Sequence, residues 1–143
     1  MLCYQNIEYQ CLTSIPGIDP VYAAGILAEI GQIERFSDET KLAKYAGLYW
    51  RQNQSGKSEF ENTPMAKRGN RYLRYYLVEA TNSVRRYEAE YTVYYKKKYA
   101  ETPKHKHKRT IVLTARKFTR LVDTLLRNHQ FYMQLLGITR KKF

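Results

Sequence analysis

Apolar residues recur every three or four positions along nearly the whole chain, and no stretch of five or more residues alternates cleanly. That pattern predicts helices and no sheet. The expected class is all-α: a compact helical domain with a helix-hairpin-helix near the N-terminus and two longer arginine-faced helices. Residues 11–31, "CLTSIPGIDPVYAAGILAEIG", read as two short helices joined at a Pro-Gly-Ile turn. Asp19 is placed to cap the second helix. Pro20 takes its first position, where a missing N–H costs nothing, and Gly31 ends it. Ser37 reads as the cap of a further helix, "DETKLAKYAGL", running to Gly47. Residues 48–69 are polar and interrupted by Gly56, Pro64 and Gly69, hence a loop.

A long helix is predicted from Asn70 to Tyr87. At 100° per residue, Leu73, Leu77, Ala80 and Val84 fall on one side, and Arg71, Arg74, Tyr75, Asn82 and Arg85 on the other. A Tyr- and Lys-rich helix follows from Glu88 to Tyr99. Residues 96–109, "KKKYAETPKHKHKR", hold seven Lys/Arg against one Glu, with Pro103 as a breaker, and read as a mobile hinge or connector. From Arg109 the helical pattern resumes. Ile111, Ala115, Phe118, Val122 and Leu125 form a stripe opposite Arg109, Arg116, Arg120 and Arg127, interrupted only by Leu113 and Asp123. A last helix near Gln130 to Leu136 leads into a basic tail expected to be loose.

Charge sharpens this picture. The formal net charge is +12, and it is uneven: residues 1–50 hold three basic side chains against six acids, whereas residues 51–143 carry the other 22 Lys/Arg against seven acids. The second part should attract a polyanion. Fourteen tyrosines accompany the charge, and aromatic faces beside cations suit nucleic acid, although tyrosine also packs well half-buried in a core. An acidic protein or a ribosome-like surface is the competing partner. At 143 residues the chain makes one domain with a core that needs no disulfide or metal. Cys3 and Cys11 match no zinc spacing and read as reduced packing thiols. His105 and His107 lack further ligands nearby, so no metal site is expected in this chain. No apolar run reaches the roughly 18 residues of a membrane span, and the protein is expected to be soluble and cytoplasmic.

The hairpin "SIPGIDPVYAAGILAEIG" resembles the helix-hairpin-helix module that grips DNA backbones. There Gly17 would let backbone N–H groups approach a phosphate oxygen. Asp19 departs from the usual second glycine, so a purely structural hairpin stands beside that reading. In the loop, Ser55-Gly56 taken alone is a turn. Four blocks in order change its weight: "IPGIDPVYAAGILAEIG", "RFSDETKLAKYAGL", "RQNQSGK" and "AKRGNRYLRYYLVEA".

Over about residues 10–127 this order resembles the C-terminal domain of the bacterial insertion-sequence transposases known as bridge-RNA-guided recombinases. The resemblance implies one domain over 1–143, divided into a helix-hairpin-helix lobe (10–47), a Ser-Gly active-site loop (48–69) and a basic helical part (70–143). It maps the family's serine nucleophile onto Ser55, which would attack a DNA phosphate, releasing a 3′-hydroxyl and keeping the 5′-phosphate. Rejoining reverses the step without ATP. No cofactor is expected in this chain; Mg2+ belongs to an Asp/Glu tetrad in a RuvC-like N-terminal domain.

The implied partners are double-stranded DNA, a structured non-coding guide RNA and further copies of the full-length protein, in a bacterial cytoplasm at the nucleoid. Gly56 would permit close approach of DNA. Arg51, Lys57, Lys67, Arg68 and Arg71 are candidates to stabilise charge, with Arg74, Arg116 and Arg120 as further nucleic-acid contacts. No histidine lies near Ser55 in sequence, so its proton acceptor would come from elsewhere. No segment has the strand-rich, acid-bearing RuvC-like pattern. The chain is therefore expected to be a fragment or a truncated relative that binds nucleic acid and leaves DNA uncut. The alternative is a non-catalytic helix-hairpin-helix DNA-binding module. A tyrosine recombinase is disfavoured, because no Arg/His constellation is recognisable around the tyrosines at 87–99.

Overall fold

In the computed structural model, residues 6–49 and 69–133 are described. All regular structure among them is helical: α1 (Ile7–Thr13), α2 (Pro20–Ile30), a 3-10 turn (Ile33–Arg35), α3 (Glu39–Tyr45), α4 (Arg71–Val84), α5 (Ala89–Glu101) and α6 (Lys106–Asn128). No strand occurs among the described residues, as the period of the apolar positions predicted.

The caps explain most of the boundaries. Asn6, Asp19, Asp38 and Asn70 each accept from a backbone N–H in the first turn of α1, α2, α3 and α4, filling donors that a helix start leaves unpaired. Asp19 and Pro20 do what the sequence indicated. Ser37 does not: the cap of α3 is Asp38, whose Oδ1 accepts from Lys41 N at 3.0 Å. Both residue types suit the role, and the pattern cannot choose between neighbours. The first helix of the hairpin starts at Ile7, earlier than expected, because Asn6 caps it.

The core gathers around α6, which packs against α1, α3, α4, α5 and the 3-10 turn; α2 packs on α1 and α4. The expected stripe of Ile111, Ala115, Phe118, Val122 and Leu125 is buried. So is the face of α4 made by Leu73, Leu77, Ala80 and Val84. The buried face of α6 is broader than an apolar stripe, since Thr110, Thr114 and Thr119 are also fully enclosed. Thr114 and Thr119 donate to the carbonyls of Thr110 and Ala115, both at 2.8 Å. Thr81 of α4 does the same to Leu77. A hydroxyl that returns its hydrogen bond to its own helix can be buried at little cost, and its small volume lets helices approach.

Residues 96–109 are mostly helical, and the connector shrinks to residues 102–105. Thr102 Oγ1 donates to Lys98 O at 2.7 Å, and Lys106 Nζ reaches back to Thr102 O at 2.7 Å and Tyr99 O at 3.2 Å. A cation on the last carbonyls of α5 is the favoured arrangement.

Phe118 lies at the centre of the packing and meets Tyr91 of α5 edge to face, with ring centroids 5.9 Å apart. Phe118→Ala is expected to lower unfolding stability by about 3–5 kcal/mol, whereas Arg120→Ala, at an exposed position on the same helix, should change it by less than about 0.5 kcal/mol. Urea denaturation midpoints of the two variants check this.

Candidate nucleic-acid interface

The chain leaves α3 and enters α4 at one point. Gly47 closes the end of α3 with a left-handed turn (φ 77°) and Leu48 N bonds back to Ala43 O at 2.8 Å, leaving Leu48 fully buried. Gly69 (φ 107°) lies directly against this turn: a Cβ placed there would stand 2.7 Å from Gly47 N and 2.8 Å from Tyr45 O. Only glycine fits both the backbone angle and the gap. The next residue fastens the junction. Asn70 N donates to Tyr45 O at 2.6 Å. Its Oδ1 accepts from Tyr72 N and Leu73 N at 2.9 and 3.0 Å. Its Nδ2 donates to Glu29 Oε1 of α2 at 2.9 Å and Tyr45 Oη at 3.3 Å. One amide thus caps α4 and ties it to α2 and α3, which accounts for the Gly-Asn step. Hydrogen bonds from Arg35 and then from Asn70 draw the Tyr45 phenol below its ordinary pKa.

This junction is a neck at which the described chain stops at Tyr49 and resumes at Gly69. The candidate residues Arg51, Ser55, Gly56, Lys57, Lys67 and Arg68 fall within 50–68, outside the described residues.

Beside the neck, α4 presents cations and aromatic rings together. The Arg71 guanidinium sits over the Tyr72 ring, 5.3 Å from its centroid. Tyr72 and Tyr75 are 56 % and 54 % exposed. Tyr75 meets Tyr22 of α2 edge to face at 6.3 Å. Arg74 Nη1 donates to Ala46 O at 3.3 Å, at the end of α3. A shallow open depression is lined by Tyr45, Gly69, Asn70, Arg71 and Tyr72. Guanidinium and phenol rings side by side can neutralise phosphate and carry stacked bases.

The other sequence candidates are placed differently. The space left by Gly17 (φ 85°) is filled by the Tyr87 ring, and Ser83 Oγ donates to Gly17 O at 2.5 Å. The first free N–H of α2, on Val21, already has Asp19 Oδ1 at 2.8 Å. The turn therefore packs onto the end of α4. Arg116 is joined to Glu39 of α3, Nη1 to Oε1 at 2.5 Å, with Arg120 Nε 3.8 Å from the same carboxylate. Arg127 pairs with Asp123 at 2.6 Å and donates to Phe36 O at 2.9 Å. The arginine stripe of α6 is thus largely an internal fastening to α3 and the 3-10 turn. Arg120 has the most open side chain, at 67 % exposure. No spacing in the sequence could announce the Arg116–Glu39 pair, since 77 residues separate its members.

Sequence reading also passed over a cluster where α4, α5 and α6 meet. The Arg85 guanidinium lies 4.0 Å from the Tyr95 ring centroid, and Tyr95 Oη is 2.5 Å from His107 Nδ1. Tyr91 of α5 is buried, and burial pushes its phenol pKa upward. Among the described residues no group of three or more His, Cys, Asp and Glu could hold a metal ion, and no helix is long and apolar enough to cross a membrane.

The glycine neck and the aromatic-cationic face lie within residues 9–96, the stretch that matches the Transposase IS116/IS110/IS902 family, and the chain belongs to that family. It is similar to the transposase for insertion sequence element IS1111A of Coxiella burnetii (strain RSA 493 / Nine Mile phase I), with 33% identity over 82 residues. The aligned part is 57% of this chain and 22% of that relative, so the chain spans about a fifth of the relative's length.

Two measurements follow from this geometry. Asn70→Ala removes a cap and strands the partners of the amide, and should lower stability by about 1–3 kcal/mol; Asn70→Asp keeps the cap but sets a second carboxylate against Glu29 and should not restore the wild-type denaturation midpoint. The hydrogen bond from Arg116 holds the Glu39 carboxyl below its usual range. Stability from a lowered carboxyl pKa is present above the unfolded value, about 4, and is lost as pH falls through the folded one. The midpoint difference between wild type and Glu39→Gln should therefore exist at pH 7, at about 1 kcal/mol, and close in acid.

Proposed function

We propose that this chain is the nucleic-acid-binding, serine-bearing domain of a transposase that breaks and joins DNA strands through a phosphoserine link, with Ser55 as the nucleophile. The observation that carries the reading is the neck. The segment containing Ser55 leaves and re-enters a rigid helical body at Gly47 and Gly69, beside Arg71, Tyr72 and Arg74. A short polar excursion from a fixed base, next to cations, is the means by which a weak nucleophile gains alignment. Membership of a transposase family supports the same class of chemistry.

In this reading Ser55 Oγ forms a bond to a backbone phosphorus as the P–O3′ bond breaks. The 3′-oxygen leaves as a hydroxyl, and the 5′-phosphate remains on the serine. The serine proton passes to a base outside this chain's described residues, and an acid there supplies a proton to the leaving 3′-oxygen. Attack by another strand's 3′-hydroxyl reverses each bond change and frees the serine. The phosphoester count is conserved, so no nucleotide cofactor is needed. Arg71 and the loop cations Arg51, Lys57, Lys67 and Arg68 would stabilise charge gathering on the phosphoryl oxygens. In this reading Mg2+ would be held by an acid-bearing domain of a longer protein, where it would offset phosphate charge. Partners that go with this reading are double-stranded DNA, a structured guide RNA and further copies of the full-length protein.

Ser55→Ala in the longer protein tests it: strand joining should fall at least about a thousandfold while duplex affinity stays within about twofold. Joining that survives the substitution would leave a binding module in which Ser55 is a turn residue. The 143-residue chain alone should leave supercoiled plasmid intact over hours with Mg2+, and nicking by the pure chain would contradict the need for a second domain.

A further inference from the structure

The end of the α5–α6 hairpin is the other strongly charged region, and its cations are of two kinds. Arg85, Lys98 and Lys106 lie over the rings of Tyr95, Tyr94 and Tyr99, at 4.0, 5.6 and 5.3 Å from the centroids. Lys106 also closes the last carbonyls of α5. These three build the tip. Lys96, Lys97, Lys104 and Lys108 do not: they are exposed, and among the described residues none is within ion-pair distance of a carboxylate. The acid at the tip, Glu101, is 3.3 Å from Lys98.

Such an arrangement has an electrostatic load. The first turn of α6 carries Lys106, His107, Lys108 and Arg109 and no acid, so like charges meet at the positive end of a 23-residue helix. The cost is relieved when a polyanion arrives. Tyr94 and Tyr95 are half-buried beneath their cations and of the three rings only Tyr99 is exposed, so the tip offers fewer open rings for stacking bases, which single-stranded recognition uses, than it offers cations. What remains is charge on a braced support, suited to a regular row of phosphates.

We propose that the tip of the α5–α6 hairpin, through Lys96, Lys97, Lys104 and Lys108, is a second and sequence-independent grip on the phosphate backbone of duplex DNA. It is distinct from the face beside the neck. Arg71 and Arg85 stand at opposite ends of α4, about 21 Å apart along its axis, a span of about six base pairs. The stretch that matches the family stops at residue 96, so Lys97, Lys104 and Lys108 lie beyond it. The inference rests on the nucleic-acid reading above, and the following test separates the two.

The affinity of the 143-residue chain for a random-sequence duplex of about 30 base pairs, long enough for both grips, is measured across a salt series. Wild type is compared with K104Q/K108Q, with K104R/K108R, and with K41Q/K44Q as an equal loss of exposed charge on α3. The tip variant should lose about two units from the slope of log affinity against log salt and bind at least about fivefold more weakly at 0.1 M salt. The arginine variant should keep the wild-type slope, and K41Q/K44Q should change it by less than half a unit. Equal losses in K104Q/K108Q and K41Q/K44Q, or none in the former, overturn the tip grip while leaving DNA binding in place. A wild-type chain that does not bind duplex at low salt overturns the nucleic-acid reading and this one with it. If a stem-loop RNA binds over tenfold tighter than the duplex and only its affinity responds to K104Q/K108Q, the assignment to DNA falls.

Discussion

The burial of one side of α6 is the constraint on which the rest of the molecule depends. Five neighbouring elements use that helix as their common wall, and none of the short helices before it has enough apolar surface to stand alone. α1 and α3 are seven residues each, below the length at which an isolated helix persists in water. They exist because Leu12, Leu42 and their neighbours find Phe118, Val122 and Leu125 across a shared interior. The buried threonines of α6 serve the same end by letting backbones close up where a leucine would hold them apart.

Charge is organised around that wall in a way that net charge conceals. Four of the six acids of the first 50 residues are put to work inside the fold: Glu39 secures Arg116, Glu29 receives Asn70, and Asp19 and Asp38 cap helices. The basic excess is left for the outside, at the neck face of α4 and at the far end of the α5–α6 hairpin. An uneven charge along the chain becomes an uneven charge in space because the acidic part is consumed by internal bonding.

Local signals carried most of the architecture. The 100° sidedness of α4 and α6 gave their buried faces residue by residue, and the Asp-Pro start of α2 is a signal complete within two positions. Where the reading missed, either two neighbours carried the same signal or the deciding interaction was remote. Ser37 and Asp38 are equally good caps on paper. The arginines of α6 look like a free stripe until α3 folds against them, and Arg85 and His107 come to Tyr95 from two other helices. Gly17 left two readings open, a phosphate approach and a structural turn, because glycine signals close approach without saying of what; Tyr87 stands against it here. The neck was hidden for the same reason, since Gly47 and Gly69 meet across 22 positions. The serine assignment came from the order of motif blocks, and the described geometry supplies only its base.

Because Gly47 and Gly69 are in contact, the chain between them begins and ends at the same place. Closing a longer loop costs little, about 0.6 kcal/mol for each doubling. The helical body, through Tyr45, Gly47 and the buried Leu48 on one side and Gly69 and Asn70 on the other, holds the two ends together, so that the entropy of bringing them to one point is met by the fold itself.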